Sequence, residues 1–418
     1  MFAVLKQIFS PKNKDVKKRV LFTLFALFIF KLGTMIQVPG TESITSDLGF
    51  LELIDVMGGG AFKQFSIFAL GVSPYITASI VTQLLQMDII PYFSELAKQG
   101  PSGRTKINKI NRYLAIGLAF LQGYVFSFAF LPTGSGALEY MRIAVILTAG
   151  TAFVLWLSDQ ITQKGIGNGV SLIIMAGILM TTPTMFVEAF REMVNTASTQ
   201  TLVLGIISFA IFVIIYLSIV VGVIFVQQAE RRIPIQYSNR TSSSYGSKQS
   251  YMPIKVNSAG VMPVIFSSML IAVPSAIAQF SKNEDMLLFV KKYLDYNTAT
   301  GFVFYMALIL FFAYFYTFLQ LKPDEMATNF QKQGGYIPGI RPGKDTASYL
   351  KKVLSRLTII GAIFLMAISG LPIIFSSLSN LSANITIGGT GLLIVVGVAL
   401  ETYNQLESIL LTRNYGGK

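Results

Sequence analysis

Arg341 stands in the run Gly334-Gly335-Tyr336-Ile337-Pro338-Gly339-Ile340-Arg341-Pro342-Gly343. Arg231 and Arg232 stand side by side in Gln227-Gln228-Ala229-Glu230-Arg231-Arg232-Ile233-Pro234-Ile235-Gln236-Tyr237. An Arg framed by Pro and Gly on a loop tip holds its guanidinium fork outward, suited to phosphate or carboxylate. The plainer alternative is a solvated basic loop that serves topology alone. A second kind of chemistry needs no charge. Val72 and Ile76 lie four apart, as do Val170 and Ile174, so each pair shares a helix face. Branched aliphatic side chains can build a constriction that dewets and stops ions. Periodicity alone favours ordinary helix packing for these four.

Missing residue types bound the chemistry further. The chain has no Cys and no His. Disulfides and thiol chemistry are therefore excluded, along with the commonest general base and metal ligand. No HExxH, GxSxG or Walker sequence occurs. Acids within the apolar stretches include Glu139 near a helix start, and Glu401 and Glu407 near the end of the last stretch. They form no buried cluster of the kind that relays protons. Catalysis and proton-coupled transport lose support, and no cofactor or metal is expected.

The elements that must carry these residues are membrane spans. Of 418 residues 53% are hydrophobic and only 13% charged, and mean hydropathy is +0.60. A soluble domain could not hide that much apolar surface. Stretches of about 20 apolar residues suffice to cross a bilayer. They are read at 20–38, 65–86, 113–131, 138–157, 168–188, 202–226, 257–280, 301–321, 357–378 and 389–411. Such runs must be helical, because helices satisfy their backbone internally in lipid. The fold class is thus an all-α polytopic membrane protein with ten transmembrane helices.

Ten is even, so both termini lie on one side. Of the 33 basic residues, 25 fall in the termini and every second loop, 5 in the opposite loops, and 3, Lys31, Arg142 and Arg356, in spans or at their ends. That asymmetry places both termini and the basic loops in the cytoplasm. The net charge of +13 reflects topology first. Met1–Ser10 is weakly amphipathic, and no small-residue cleavage site follows the first apolar run, so no removable signal peptide is expected. Five spans per half place residues 189–418 upside down relative to 1–188, a plan compatible with an inverted repeat.

Two further features need a place. Gly49–Phe62 is too short to span and too apolar for an exposed loop. It is either an interfacial helix or a short helix tucked into the protein, hinged at Gly58-Gly59-Gly60. The loops 227–256 and 322–352 are long, and long loops with fixed turn chemistry tend to be functional. Thr241-Ser242-Ser243-Ser244 reads as the tip of the first.

At this point the sequence becomes recognisable. Phe65–Ile80, Gly165–Ile174, Pro253–Pro263, Pro338–Gly343 and Gly389–Val396 resemble, in order, segments of the SecY/Sec61-alpha family of protein-conducting channels. The resemblance covers essentially the whole chain. It implies two inverted five-helix halves, 1–188 and 189–418, around an hourglass pore with a lateral gate to lipid. It implies an apolar pore ring of Val72, Ile76, Val170, Ile174, Ile265 and Ile394. It implies a plug at Gly49–Phe62, with Leu51, Leu53, Ile54, Val56 and Met57 as its apolar residues. Gln83, Gln122 and Asn257 match polar residues of the lateral gate. Arg231, Arg232, Arg240 and Arg341 match positions that dock the SecA motor ATPase and the ribosome. Further partners implied are SecE-like and SecG-like subunits, signal sequences, nascent chains and membrane lipid. Family membership implies a passive, non-enzymatic channel in the bacterial cytoplasmic membrane. A secondary transporter with a ten-span inverted repeat is the alternative; a membrane enzyme would need a catalytic cluster.

Overall fold

A computed structural model describes residues 13–41, 55, 58–86, 90–131, 136–194, 199–237, 250–280, 284–295, 298–379 and 388–416. Its helices are α1 (Lys14–Thr34), α2 (Ser73–Leu85), α3 (Pro91–Lys98), α4 (Pro101–Phe130), α5 (Ala137–Lys164), α6 (Gly169–Met193), α7 (Thr199–Gln228), α8 (Met262–Phe280), α9 (Glu284–Tyr293), α10 (Ala299–Leu321), α11 (Pro323–Lys332), α12 (Lys344–Ser379) and α13 (Gly388–Gly416). Strands β1 (Glu230–Tyr237), β2 (Ser250–Lys255) and β3 (Gly335–Tyr336) complete the set. Each of the ten expected spans overlaps one of these helices. Among the described residues, five helical stretches are long and apolar enough on their own to cross a membrane: Ala137–Lys164, Gly169–Met193, Leu202–Gln228, Ala299–Lys332 and Lys344–Leu371.

The chain forms two compact units. One comprises Met1–Ala210, Ala272–Leu288 and Asn380–Lys418; the other comprises Ile211–Ile271 and Phe289–Ser379. The expected halves, 1–188 and 189–418, divide the chain by pseudo-symmetry, which packing alone does not measure.

In the first unit, aromatic rings and glycines let helices close up. Phe68 stacks between Phe30 of α1 and Phe153 of α5, with ring centroids 6.1 and 5.7 Å apart. A Cβ at Gly150 of α5 would lie 1.9 Å from the Ile67 carbonyl oxygen, so only glycine admits this approach. The span expected at 65–86 is helical only from Ser73. Phe65–Val72 runs instead as buried turns, with Phe65 and Gly71 at φ +44° and +51°. Its backbone is satisfied by strand-like pairing: Val38 N–H donates to the Phe65 carbonyl at 3.0 Å, and Ile67 N–H to the Ile36 carbonyl at 2.9 Å.

In the second unit the loops expected at 227–256 and 322–352 meet in a small antiparallel sheet of order β2-β1-β3. Arg232 faces Pro253 and Pro234 faces Tyr251 across β1–β2, while Gln236 faces Tyr336 across β1–β3. Side chains alternate faces along a strand. Ile233 and Ile254 point inward, into a core with Ile337 and with Leu350, Val353, Leu354 and Leu357 of α12. The span expected at 257–280 likewise starts late, at Met262. Asn257–Val261 is a turn with Gly260 at φ +64°.

Candidate functional site

Three groups of side chains need positions: those expected in an apolar ring, those expected at a polar gate, and those of the basic loops. The ring residues of the first unit sit at helix starts. Val72 is the residue that caps α2, and Ile76 lies in its first turn. Val170 and Ile174 occupy the first turns of α6. Ile394 lies on α13. Val72, Ile76, Ile174 and Ile394 are buried, and Val170 is half-buried. Helix α13 packs on α6, where a Cβ at Gly391 would stand 3.0 Å from the Ile178 side chain. Ile265, also buried, lies in the first turn of α8 within the second unit.

The run Gly165-Ile166-Gly167-Asn168-Gly169 sets the start of α6. The Asn168 side chain accepts the N–H groups of Val170 and Ser171 at 3.1 and 3.4 Å, a helix N-cap. Gly169 N–H donates to Thr162 Oγ1 at 2.8 Å, and Ile166 N–H to Thr23 Oγ1 of α1 at 3.1 Å. A Cβ at Gly169 would lie 1.8 Å from the Ser158 carbonyl oxygen, and one at Gly165 2.4 Å from Thr23 Oγ1. These glycines let α1, α5 and α6 converge where Val170 begins.

Of the segment expected to be a plug, Leu51, Leu53, Ile54, Val56 and Met57 lie outside the described residues. Asp55 and Gly58–Phe62 are described. Gly59 and Gly60 adopt φ +74° and +80°. Gly59 packs so closely on α6 that a Cβ would stand 3.2 Å from Gly177 Cα. Phe62 meets Phe126 of α4 edge to face at 5.1 Å. Asp55 is buried; its carbonyl accepts Gly60 N–H at 2.9 Å and its Oδ1 accepts Lys63 N–H at 2.8 Å.

Gln83 on α2 is half-buried and donates from Nε2 to Ser79 Oγ at 3.2 Å, while its Oε1 has no hydrogen-bond partner among the described residues. Gln122 is half-buried on α4. Asn257, in the second unit, is buried and donates to the Gly260 carbonyl at 3.1 Å, closing its own turn. Sequence reading missed Thr82 and Asn111, both buried, whose side chains hydrogen-bond across α2 and α4 next to Gln83. It also missed the Arg112–Asp159 ion pair at 2.8 Å that ties α4 to α5. Asn111-Arg112 stand together just before an expected span, which was the available signal.

Arg240 lies outside the described residues. Arg231, Arg232 and Arg341 are exposed. Arg232 pairs with Glu230 at 2.7 Å and lies 4.8 Å above the Tyr251 ring. Tyr336 Oη donates to Gln236 Oε1 at 2.9 Å on the same outer face. Ile340 N–H donates to the Ile337 carbonyl at 3.0 Å, and Thr346 Oγ1 to the Arg341 carbonyl at 2.9 Å. With Gly339 and Gly343 at φ +81° and +97°, these bonds fix the tip that carries Arg341.

Comparison with known proteins bears on this arrangement. The family model for SecY matches residues 66–403. The chain is 47% identical to the protein translocase subunit SecY of Staphylococcus aureus, over 97% of both chains. It is 46% identical to that of Bacillus subtilis, over 96% of both. Among solved structures it resembles one described as a protein-conducting channel, with a TM-score of 0.64 and 18% identity over 94% of this chain and 92% of that one. It also resembles Sec61 from a canine ribosome–channel complex, with a TM-score of 0.63 and 18% identity over the same shares. At such identities the structures establish the fold, and the full-length relatives establish the lineage: this chain belongs to the SecY family.

Proposed function

We propose that the chain is the channel-forming subunit of a translocase that conducts unfolded preproteins across the membrane and releases membrane segments sideways into lipid. The observation that carries this reading is the 47% identity to a translocase subunit over 97% of both chains. The six aliphatic residues Val72, Ile76, Val170, Ile174, Ile265 and Ile394 form the seal. A ring of branched side chains closes around any passing chain without reading its sequence. Gly49–Phe62 is the plug. Gln83, Gln122 and Asn257 set how readily the lateral gate opens, because polar groups between helices cost little when paired.

The chain is passive, and a partner supplies the energy. The SecA motor and the ribosome dock on the cytoplasmic loops through Arg231, Arg232, Arg240 and Arg341. SecE-like and SecG-like subunits complete the complex in the bacterial cytoplasmic membrane, with both termini inside. Contacts to ribosomal RNA are expected to weaken with salt. Conditional depletion of the chain in its own host tests the reading. Unprocessed secretory preproteins should accumulate as the chain disappears, and pulse-labelled export at the normal rate would overturn it.

A further inference from the structure

Helix α9, Glu284–Tyr293, has no role in the reading above. Its residues Leu288, Phe289, Lys292 and Tyr293 recur at i, i+1, i+4 and i+5, so they share one face. Leu288, Phe289 and Tyr293 are 63, 58 and 44% exposed, and Lys292 is exposed with them. Asp285, exposed one turn earlier, shares that side. Val290, on the other side, is buried. The Phe289 and Tyr293 rings lie 4.9 Å apart, and the Lys292 ammonium stands 5.4 Å from the Tyr293 ring.

The end of α9 is fastened to the first turn of α10. Thr300 Oγ1 donates to the Lys292 carbonyl at 3.0 Å. Thr298 Oγ1 donates to the Asp295 carbonyl at 2.6 Å and accepts Gly301 N–H at 3.2 Å. A Cβ at Gly301 would stand 2.0 Å from the Asp295 carbonyl oxygen, so the junction closes tightly on α10. Helix α10 is one of the spans, and its exposed apolar side begins at Val303 and Phe304. The end of α9 is therefore held against the N-terminal turn of a helix long and apolar enough to cross a membrane, one turn before that helix's exposed apolar side begins.

We propose that α9 lies in the membrane interface, with Leu288, Phe289 and Tyr293 at the boundary of headgroups and acyl chains and Lys292 reaching lipid phosphate. The composition suits that layer: amphipathic rings sit at headgroup level, and a lysine stem runs along apolar surface while its ammonium stays wet. Continuity with the exposed apolar side of α10, where Val303, Phe304 and Phe311 stand on a helix long and apolar enough to span, selects lipid over a protein partner as the occupant.

Trp156 is the one tryptophan of the chain, so Trp156→Phe gives a dark background for a reporter. Phe289→Trp is placed in that background, in the full-length chain reconstituted in lipid vesicles. Leu288→Trp on the same face serves if the first variant does not insert. The expected result is blue-shifted emission, little quenching by aqueous acrylamide, and greater loss of signal with lipids brominated near the headgroup than near the chain end. Water-like emission quenched by acrylamide would overturn the proposal, since α9 would then stand in solvent. Blue-shifted emission untouched by brominated lipid would also overturn it, because a polypeptide would then cover the face. Either outcome leaves the channel reading intact.

Discussion

The Asp55 carboxylate accepts the backbone N–H of Lys63, eight positions along the chain, at 2.8 Å and so encloses the three glycines Gly58, Gly59 and Gly60. Asp55 belongs to the connection between the first two expected spans. Burial, the largest influence, pushes its pKa up; the Lys63 N–H, the Lys63 ammonium and the Phe62 N–H pull it down by less. A carboxyl raised in the folded state binds its proton more tightly there than in the unfolded chain. Its contribution is therefore fully present below the unfolded value of about 3.9 and is lost as pH rises through the raised value. Asp55→Asn keeps an oxygen for the Lys63 N–H and removes the charge. The variant should melt at a higher temperature than the parent near neutral pH, and the difference should vanish in acid. Circular dichroism of both proteins in detergent across this range checks it; a parent that gains on the variant with rising pH would contradict it.

Asn168 and Gly169 position the start of α6, and the two should fail differently. Asn168→Ala removes one N-cap and should cost about 1 kcal/mol, within a range of about 0.5–2. Gly169→Ala puts a methyl group 1.8 Å from the Ser158 carbonyl oxygen, so α5 and α6 must move apart. That cost should exceed the cap's by several-fold and lower membrane abundance. Thermal melts and quantitative immunoblots separate the two. Equal, small effects would mean that the junction relaxes freely.

Much of this was legible in sequence because lipid leaves few options. A stretch of about 20 apolar residues must be a helix, and all ten expected spans overlap one. Their beginnings were less legible. Phe65–Val72 and Asn257–Val261 fall within expected spans, yet run as turns: Gly71 and Gly260 take positive φ, pairing with Ile36 and Val38 satisfies the first stretch, and the Asn257–Gly260 bonds close the second. Hydropathy averages over such details. The sheet was legible in principle: Ile233 and Ile235 alternate with exposed Arg232, Pro234 and Gln236, a period of two. Two prolines, Pro234 and Pro253, argue against strands and masked it. The Thr82–Asn111 bond and the Arg112–Asp159 pair join residues 29 and 47 apart, and single-sequence periodicity carries no information at that range.

The ring predicts an electrical phenotype distinct from instability. Ile76→Gly combined with Ile174→Gly removes two buried side chains near the starts of α2 and α6. Ion current through the reconstituted complex should rise from closed to resolvable. Ile143→Ala with Ile161→Ala, both fully buried on α5, is the control. It should cost about 2–5 kcal/mol per site and leave the bilayer sealed. Unchanged conductance in the glycine pair would place the constriction elsewhere.

Arg341 should matter for its fork as much as for its charge. Its backbone is pinned by Thr346 and by the Ile337–Ile340 turn, while the side chain stands exposed. The side chain is exposed, so Arg341→Glu should change stability by no more than about 0.5 kcal/mol. Docking is another matter. On the proposed docking role, reversing the charge should abolish most motor-driven export, because it sets a like charge against the acidic groups that the guanidinium fork would engage. Arg341→Lys keeps the charge and loses the planar, two-pronged geometry, so it should fall between parent and Glu variant. Preprotein translocation into vesicles containing each variant, driven by added motor and ATP, gives the order. Parent and Lys variant transporting equally would reduce the residue's role to charge alone. Full transport by the Glu variant would return the loop to its plainer reading, a basic segment that only holds the chain's orientation.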